Sequence, residues 1–266
     1  HTGRAALQAG KLAMITMAGG AGSRWTKGAG VVKALHPFHR FGDGYYSFLD
    51  IQSRKASQAQ VPHVVTASYL TAGPIIHSGA RVSPGRSIGL RLIPTIADLR
   101  YLWEVIPQQQ LDVQKQKVRE SGRASLLNWV RQMGEGADYL DNLPSQCVHP
   151  VGHWYELPNL LRNGVLKQLL DEQPALEYLF LHNIDTLGAE ISAAALGQHV
   201  TGGTAMTVEV IGRQFEDHGG GLALVNGKPR LVEGLCLPDE EIEFSLRFYN
   251  TGSYWITIDA LLSAFG

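Results

Sequence analysis

Short apolar runs alternate with amphipathic segments along most of this chain. Four of the runs are rich in large apolar and β-branched residues and are short enough for buried strands. They cover residues 12–18, 61–68, 177–185 and 205–212. Asn226-Gly227 lies between two further apolar runs and is the strongest short-range signal for a β-hairpin. The segment 253–265 begins as a strand and ends with helical spacing.

Helical periodicity occupies the intervals between the predicted strands. Leucines recur at helical spacing in segment 155–172, and segments 97–105 and 124–133 have a similar pattern. Strands that alternate with helices favour an α/β domain with a mainly parallel sheet. Neither an internal repeat nor a Gly/Ser linker divides the chain, so a single domain over residues 1–266 is predicted. The most polar stretch, residues 107–125, is either a solvated helix or a flap over a site.

Composition excludes several classes of partner. Charged residues make up 18% and the net charge is -1, so no overall basic field attracts nucleic acid or an anionic membrane. No apolar stretch approaches the roughly 20 residues that span a bilayer, and the first ten residues lack a signal-peptide core. Two distant cysteines, Cys147 and Cys236, predict neither a disulfide framework nor a zinc site. They fit a reducing compartment, and we expect a cytoplasmic protein.

The glycine-rich stretch "MAGGAGSRW", residues 17–25, follows the first predicted strand. Glycines at such a position let backbone N–H groups approach a phosphate closely. The stretch lacks the Gly-Lys-Ser/Thr ending of a Walker loop and the spacing of a dinucleotide-binding loop. It matches a nucleotidyltransferase loop, G-G-x-G-T/S-R followed by a lysine, which here is Lys33. A flexible strand-to-helix turn is the alternative.

A carboxylate, Asp185, comes at the end of the strongly apolar third predicted strand. It is well placed to hold a hard divalent cation such as Mg²⁺, which bridges to substrate phosphates. Capping the next helix or opening a turn is the alternative role for an aspartate there. The charge run at Asp239–Glu243 is predicted to be a solvated face. His149 and His153 are four residues apart, but the intervening Pro150 disfavours a helical zinc pair.

In their order along the chain, these segments resemble the UTP–sugar-1-phosphate uridylyltransferase family, which includes UDP-glucose and UDP-N-acetylglucosamine pyrophosphorylases. The family's glycine loop and following lysine are similar to "MAGGAGSRW" and Lys33. Other similar segments are "TASYLT" (66–71), "HPVGHWY" (149–155), "NIDTLGA" (183–189), "GGGLALVNGKPRLVEG" (219–234) and "YNTGSYW" (249–255). The resemblance runs from about residue 12 to 262.

The resemblance implies a nucleotide-diphospho-sugar transferase fold, a three-layer α/β/α sandwich with a mixed, mainly parallel sheet. It implies that UTP and a sugar 1-phosphate form a UDP-sugar and pyrophosphate, with Arg24 on the departing pyrophosphate and Lys33 bridging phosphates. Mg²⁺ would be the cofactor, held by Asp185. The implied nucleotide-binding residues are Ala18, Gly19, Gly20, Gly22, Ser23, Ser68, Gly152 and His153. The implied sugar-binding residues are Asn183, Gly220, Glu233 and Asn250.

Several departures from the family pattern keep other functions open. Trp154 and Tyr155 replace a glycine-aspartate pair, Asp259 stands where the family often has a lysine, and Trp25 replaces a slimmer residue. The chain is shorter than typical members and is expected to lack their C-terminal accessory domain. The alternatives are a catalytically altered nucleotide-sugar-binding module of a larger protein and an enzyme that uses another nucleotide. The identity of the sugar and homo-oligomer formation stay open.

Overall fold

The structure, a computed structural model, describes residues 1–20, 32–85, 87–88, 149–150, 153–215, 217, 219–232, 237 and 240–265. The chain divides into two compact units, residues 1–86 with 150–266 and residues 87–149. The described helices and the large sheet all belong to the first unit. Within the described residues, no helix is both long and apolar enough to cross a membrane.

Helices and strands alternate through most of the described residues. The strands are β1 (Leu12–Met17), β2 (Pro37–Phe41), β3 (Gly44–Ser47), β4 (His63–Ala67), β5 (Val82–Pro84), β6 (Ser87–Ile88), β7 (His149–Pro150), β8 (Tyr178–Asn183), β9 (Met206–Gly212), β10 (Gly221–Val225), β11 (Lys228–Val232) and β12 (Phe248–Thr257). The α-helices are α1 (Thr2–Gln8), α2 (Phe48–Gln58), α3 (Ala72–His77), α4 (Glu156–Arg162), α5 (Val165–Glu172), α6 (Ala193–Gly202) and α7 (Ile258–Phe265). Short 3₁₀ helices lie at Lys33–Leu35, His153–Tyr155 and Glu240–Ser245.

An eight-stranded mixed sheet forms the centre of this unit. Its order is β11-β10-β12-β8-β1-β4-β5, and β9 pairs with β12. Strands β8, β1, β4 and β5 run parallel, whereas β12 runs antiparallel to β8. The parallel strands place their carboxyl ends at one edge, where ligands bind in open α/β sheets. The predicted α/β class with a mixed sheet is confirmed.

Strand β1 lies in the middle layer and is buried on both faces. Ala13, Ile15 and Met17 face a cluster that contains leucines of α4, α5 and α7. Leu12 and Met14 face the opposite cluster, which contains residues of α1, α2 and α6. A strand covered by helices on both sides is apolar at nearly every position, which explains its continuous apolar run. The result is the three-layer sandwich that the resemblance implied.

The predicted strands and the final strand-to-helix segment are confirmed, with small shifts of their ends. Asn226 and Gly227 both have positive φ, 52° and 74°, as a two-residue hairpin turn requires. The helix predicted over 155–172 is instead two helices, because Gly164 adopts a left-handed conformation with φ 76° between α4 and α5. The predicted helices at 97–105 and 124–133 and the polar stretch 107–125 lie outside the described residues.

Strand β12 has different neighbours on its two edges. Strand β9 pairs with one edge, and β8 pairs with the other edge over Tyr254–Thr257. Tyr249 pairs with Ile211 of β9 and also with Gly221 of β10. Since a strand has only two edges, β10 must share the edge that β8 uses. The hairpin β10–β11 therefore starts beyond the carboxyl end of β8.

Candidate active site at the carboxyl ends of the strands

The start of the glycine-rich stretch leaves β1 at this edge of the sheet. The amide of Ala18 donates to the Thr66 carbonyl at 2.9 Å, which keeps β1 and β4 paired up to the loop. Among the described residues, a Cβ on Gly19 would make only ordinary contacts, 3.6 Å from the Ser68 amide, and a Cβ on Gly20 would meet nothing within 4 Å. Packing against the described part of the chain therefore does not demand glycine at these two positions. Gly22, Ser23 and Arg24 lie outside the described residues.

Lys33 and Asp185, predicted separately as catalytic and metal-binding residues, lie together. Lys33 Nζ donates to Asp185 Oδ2 at 2.8 Å across 152 residues of sequence. The Lys33 side chain is 20% exposed and that of Asp185 46% exposed, so both can meet a ligand from solvent. The amide of Ile184 donates to the Met17 carbonyl at 3.0 Å, which sets this pair beside the glycine-rich stretch.

Two polar residues of α2 hold the loop that carries Asp185. Gln52 Nε2 donates to the carbonyls of Ile184 and Thr186, each at 3.3 Å. Lys55 Nζ donates to the carbonyls of Leu187 and Ala189 at 2.5 and 2.8 Å. Sequence reasoning missed both residues, although a glutamine and a lysine three apart on a helix share one face. They fix the backbone on either side of the Asp185 carboxylate.

Three of the predicted sugar-binding residues meet where β8 ends and β10 begins. The amide of Asn250 donates to the Gly220 carbonyl at 3.0 Å, and the amide of Gly252 donates to Asn250 Oδ1 at 3.0 Å. Gly252 has φ 71°, and a Cβ there would lie 2.8 Å from Asn183 Nδ2. The β12 bulge at these residues therefore brings Gly252, whose amide is held by Asn250, against the Asn183 side chain. Glu233, the fourth predicted residue, lies outside the described residues.

The structure does not bring the predicted base- and ribose-binding residues together as it does the predicted sugar-binding residues. Ser68 is buried, and its amide donates to Thr71 Oγ1 at 3.0 Å within the turn that precedes α3. The Ser68 hydroxyl accepts from the Leu70 amide at 3.3 Å, so its side chain is used by the turn. His153 is exposed in a 3₁₀ helix, and Gly152 lies outside the described residues.

A buried chain of polar side chains runs beneath Asn183. Thr16 Oγ1 lies 2.8 Å from His63 Nε2 and 2.9 Å from His182 Nε2, and His182 Nδ1 lies 2.9 Å from the Asn183 carbonyl. Because that carbonyl only accepts, His182 Nδ1 carries the proton, and the Thr16 hydroxyl donates to His182 Nε2. His63 Nε2 then donates to Thr16. Burial lowers the pKa of each histidine to about 4, so both rings are neutral.

Glu156, at the start of α4, has its carboxyl group close to Gly19. A Cβ on Gly19 would lie 3.5 Å from Glu156 Oε1. Only 5% of the residue is exposed, and its Oε2 has no hydrogen-bond partner among the described residues. Burial raises the pKa of Glu156 to about 7, and the nearby Thr66 hydroxyl partly opposes the rise. No sequence pattern distinguished this glutamate from an exposed one.

The residues around Asp185 are compatible with Mg²⁺ but form no complete cage. Within the described ranges, no group of three or more histidine, cysteine, aspartate or glutamate side chains could hold a metal ion. Asp185 offers one hard, half-exposed carboxylate. Mg²⁺ characteristically takes one or two carboxylates and completes its shell with water and substrate phosphates. A single protein carboxylate therefore fits an ion that is brought mainly by a nucleotide.

The amino-acid sequence of this chain is similar to those of known proteins. A sequence model of the UTP–glucose-1-phosphate uridylyltransferase family matches residues 139–265. The chain is 31% identical to the UTP–glucose-1-phosphate uridylyltransferase of Solanum tuberosum over 119 residues, which are 42% of this chain and 24% of that protein. It is 30% identical to that of Hordeum vulgare over 119 residues, 42% of this chain and 25% of that protein. These matches support the resemblance to the family and, within it, to the UDP-glucose type.

Solved structures agree on the fold. UDP-glucose pyrophosphorylase from Leishmania major has a TM-score of 0.62 and 20% identity, and the match covers 98% of this chain and 52% of that chain. UDP-glucose phosphorylase from Trypanosoma brucei has a TM-score of 0.63 and 18% identity, over 97% and 52% of the two chains. The chain thus spans about half the length of these proteins.

Proposed function

We propose that this chain forms the nucleotide- and sugar-binding core of a UTP–glucose-1-phosphate uridylyltransferase, which makes UDP-glucose and pyrophosphate from UTP and glucose 1-phosphate. The observation that carries the proposal is the convergence of Lys33 and Asp185 beside the glycine-rich stretch. A cation and a carboxylate at the carboxyl edge of a parallel sheet suit a nucleotide triphosphate and its metal ion.

The strand order suggests how the two substrates lie across the site. Gly19 and Ser68 follow β1 and β4 on one side of Asp185, and Asn183, Gly220 and Asn250 lie on the side of β12 and β10. We place the nucleoside over β1 and β4 and the sugar over β12 and β10. The reacting α-phosphorus then falls between them, next to Lys33.

The proposed reaction is the transfer of a uridylyl group by in-line displacement at the α-phosphorus of UTP. A phosphate oxygen of glucose 1-phosphate forms a bond to the α-phosphorus of UTP, while the bond from that phosphorus to the β-phosphate oxygen breaks. Such chemistry needs positioning and charge neutralisation rather than a covalent intermediate. Lys33 would neutralise phosphate oxygens at the reacting centre, and Arg24 those of the departing pyrophosphate. Bound Mg²⁺, with Asp185 as its protein ligand, would supply further charge neutralisation.

Pyrophosphate release tests the proposal directly. The chain is incubated with Mg²⁺, one nucleotide (UTP, GTP or ATP) and one of several sugar 1-phosphates, and we expect the fastest release with UTP and glucose 1-phosphate. Measurable UDP-glucose binding with no release for any pair would identify a nucleotide-sugar-binding module instead. Neither binding nor release would reject both functions.

Variants of the two basic residues test their roles. Lys33→Ala and Arg24→Ala should each lower turnover by at least about 10²-fold, the scale for loss of one transition-state charge contact. Lys167→Ala is the matched control, because Lys167 is an exposed lysine of α5 whose side chain is 77% exposed. Near-normal turnover in both Lys33→Ala and Arg24→Ala would show that the glycine-rich stretch does not serve a triphosphate.

A further inference from the structure

Arg213, which directly follows β9, is a buried cation surrounded by backbone carbonyls. Its side chain is only 5% exposed. Arg213 Nε donates to the Leu246 carbonyl at 3.0 Å, and Nη1 donates to the Asp217 carbonyl at 2.6 Å. Nη2 donates to the carbonyls of Gly219 and Gly220 at 2.8 and 3.2 Å. One side chain therefore joins the segment that enters the hairpin β10–β11 to a segment that follows it.

Glu243 completes this arrangement from the 3₁₀ helix Glu240–Ser245. Glu243 Oε1 lies 3.6 Å from Arg213 Nη1 and accepts a hydrogen bond from the Gly219 amide. The Glu243 side chain is 14% exposed, so the prediction that this charge run is a solvated face is wrong at Glu243. The reason is tertiary: the arginine directly after β9 carries a buried charge that needs a carboxylate partner.

The backbone that Arg213 holds is continuous with the predicted sugar-binding residues. The Gly220 carbonyl accepts from both Arg213 Nη2 and the Asn250 amide. A Cβ on Gly221 would lie 2.5 Å from the Phe248 carbonyl and 3.0 Å from Arg213 Nη2, so the hairpin and β12 approach more closely than a side chain allows. The contacts lead from Arg213 through Gly220 to Asn250 and then, by way of Gly252, to the Asn183 side chain.

We infer that Arg213 is a positioning residue for the sugar side of the site, which it shapes by fixing the Gly219–Gly221 backbone against the start of β12. This inference rests on the proposed function. A planar guanidinium presents donors in fixed, diverging directions and can serve four carbonyls at once, which a lysine ammonium cannot. Without it, buried carbonyls lose their partners and the glycine segment loses its defined conformation.

Loss of the Arg213 side chain should weaken binding of the sugar specifically. The backbone segments that Arg213 holds lie on the β10–β12 side of the site, away from Gly19 and Ser68. Calorimetric titration of the 266-residue chain with UDP and with UDP-glucose separates binding at the nucleotide side of the site from binding at the sugar side. In the wild type, the ratio of the two dissociation constants reports the contribution of the hexose. Arg213 Cζ lies 5.3 Å from the centroid of the Tyr249 ring, and Arg213→Met keeps an unbranched apolar side chain at this site. In this variant we expect UDP affinity within about twofold and UDP-glucose affinity reduced at least about tenfold.

Three further variants make the test specific. Glu243→Gln keeps an acceptor for the Gly219 amide and should reduce UDP-glucose affinity less than Arg213→Met does. Arg213→Lys keeps the charge and should show an intermediate ratio, so it carries the test if Arg213→Met does not fold. Arg230→Met, on the exposed strand β11 of the same hairpin, should leave both affinities unchanged.

The possible failures are distinguishable. A wild-type chain that binds neither UDP nor UDP-glucose rejects the proposed function. Wild-type binding of both, with an unchanged ratio in Arg213→Met and Arg213→Lys, overturns the role of Arg213 alone. An equal loss of UDP and UDP-glucose affinity in these variants, together with a lower melting temperature, also overturns it, because the residue would then only stabilise the fold.

Discussion

The free energy of unfolding should fall at acidic pH because of the two neutral histidines beneath Asn183. In the folded chain, His63 and His182 have their pKa lowered from 6.5 to about 4 by burial. The unfolded chain therefore binds more protons than the folded chain between these values. Stability is complete above the unfolded pKa of 6.5 and falls as the pH drops towards 4. Protonating His182 at Nε2 would also abolish its hydrogen bond from Thr16.

The size of the loss in unfolding free energy follows from the lowered pKa values of the two histidines. For a pKa of 6.5 unfolded and about 4 folded, linkage gives a loss of about 2 kcal/mol per histidine between pH 8 and pH 5. The two histidines together would remove about 4 kcal/mol, a large share of the typical 5–15 kcal/mol of a domain.

Glu156 works in the opposite direction. Burial raises its pKa from 4.5 to about 7, so the folded chain holds a proton that the unfolded chain has lost. This group destabilises the fold at pH 8, and the destabilisation diminishes as the pH falls through 7 towards 4.5. The same arithmetic gives a gain of about 2–3 kcal/mol between pH 8 and pH 5, so the net loss from these three groups should be only about 1–2 kcal/mol.

Urea unfolding at pH 8, 7, 6 and 5 separates the opposing groups. Glu156→Gln removes the compensating carboxyl group and should deepen the loss between pH 8 and pH 5 to about 4 kcal/mol. His63→Gln keeps a donor for the Thr16 hydroxyl without a titrating ring and should make the curve almost flat. His77→Gln, at an exposed histidine of α3, is the matched control and should follow the wild type. Glu156→Gln and His63→Gln curves that both coincide with the wild-type curve would refute the reasoning.

Substitutions at Gly3 and Gly252 give further predictions, with Gly73 as a control. Gly3→Ala should destabilise the chain by about 1–3 kcal/mol in the same urea assay, because its methyl would overlap the Ala193 carbonyl where α1 packs against α6. Gly73→Ala in α3 is the control: its methyl would meet no described residue within 4 Å, so it should be neutral or stabilising by up to about 1 kcal/mol. Wild-type stability in Gly3→Ala would contradict the close helix approach. Gly252→Ala should weaken UDP-glucose binding about tenfold, because φ 71° disfavours alanine and the methyl would press on Asn183; unchanged affinity would separate the bulge from the sugar.

The sequence by itself was sufficient for the class of fold and for several strands of the large sheet. Strands β1 and β8 could be predicted because a strand covered on both faces must be apolar throughout. The hairpin could be predicted because Asn226-Gly227 specifies a local turn geometry. These signals depend on neighbours within a few residues, and the same locality allowed Asp185 to be assigned to the end of its strand. It also explains the error at 155–172, where leucine periodicity continued through a glycine that adopts a left-handed conformation.

Only the tertiary structure decided which distant residues meet. Lys33 reaches Asp185 across 152 residues because β1 and β8 are parallel neighbours and α2 holds the loop after β8. Nothing local marks Arg213 as buried or Glu243 as its partner, because their burial depends on how β10 and β8 share one edge of β12. Glu156 likewise acquires its raised pKa from surroundings that other strands supply. Sequence patterns indicate which face of a helix or strand is covered. The desolvation of a side chain and its hydrogen-bond partners depend instead on which strands are neighbours in the folded sheet.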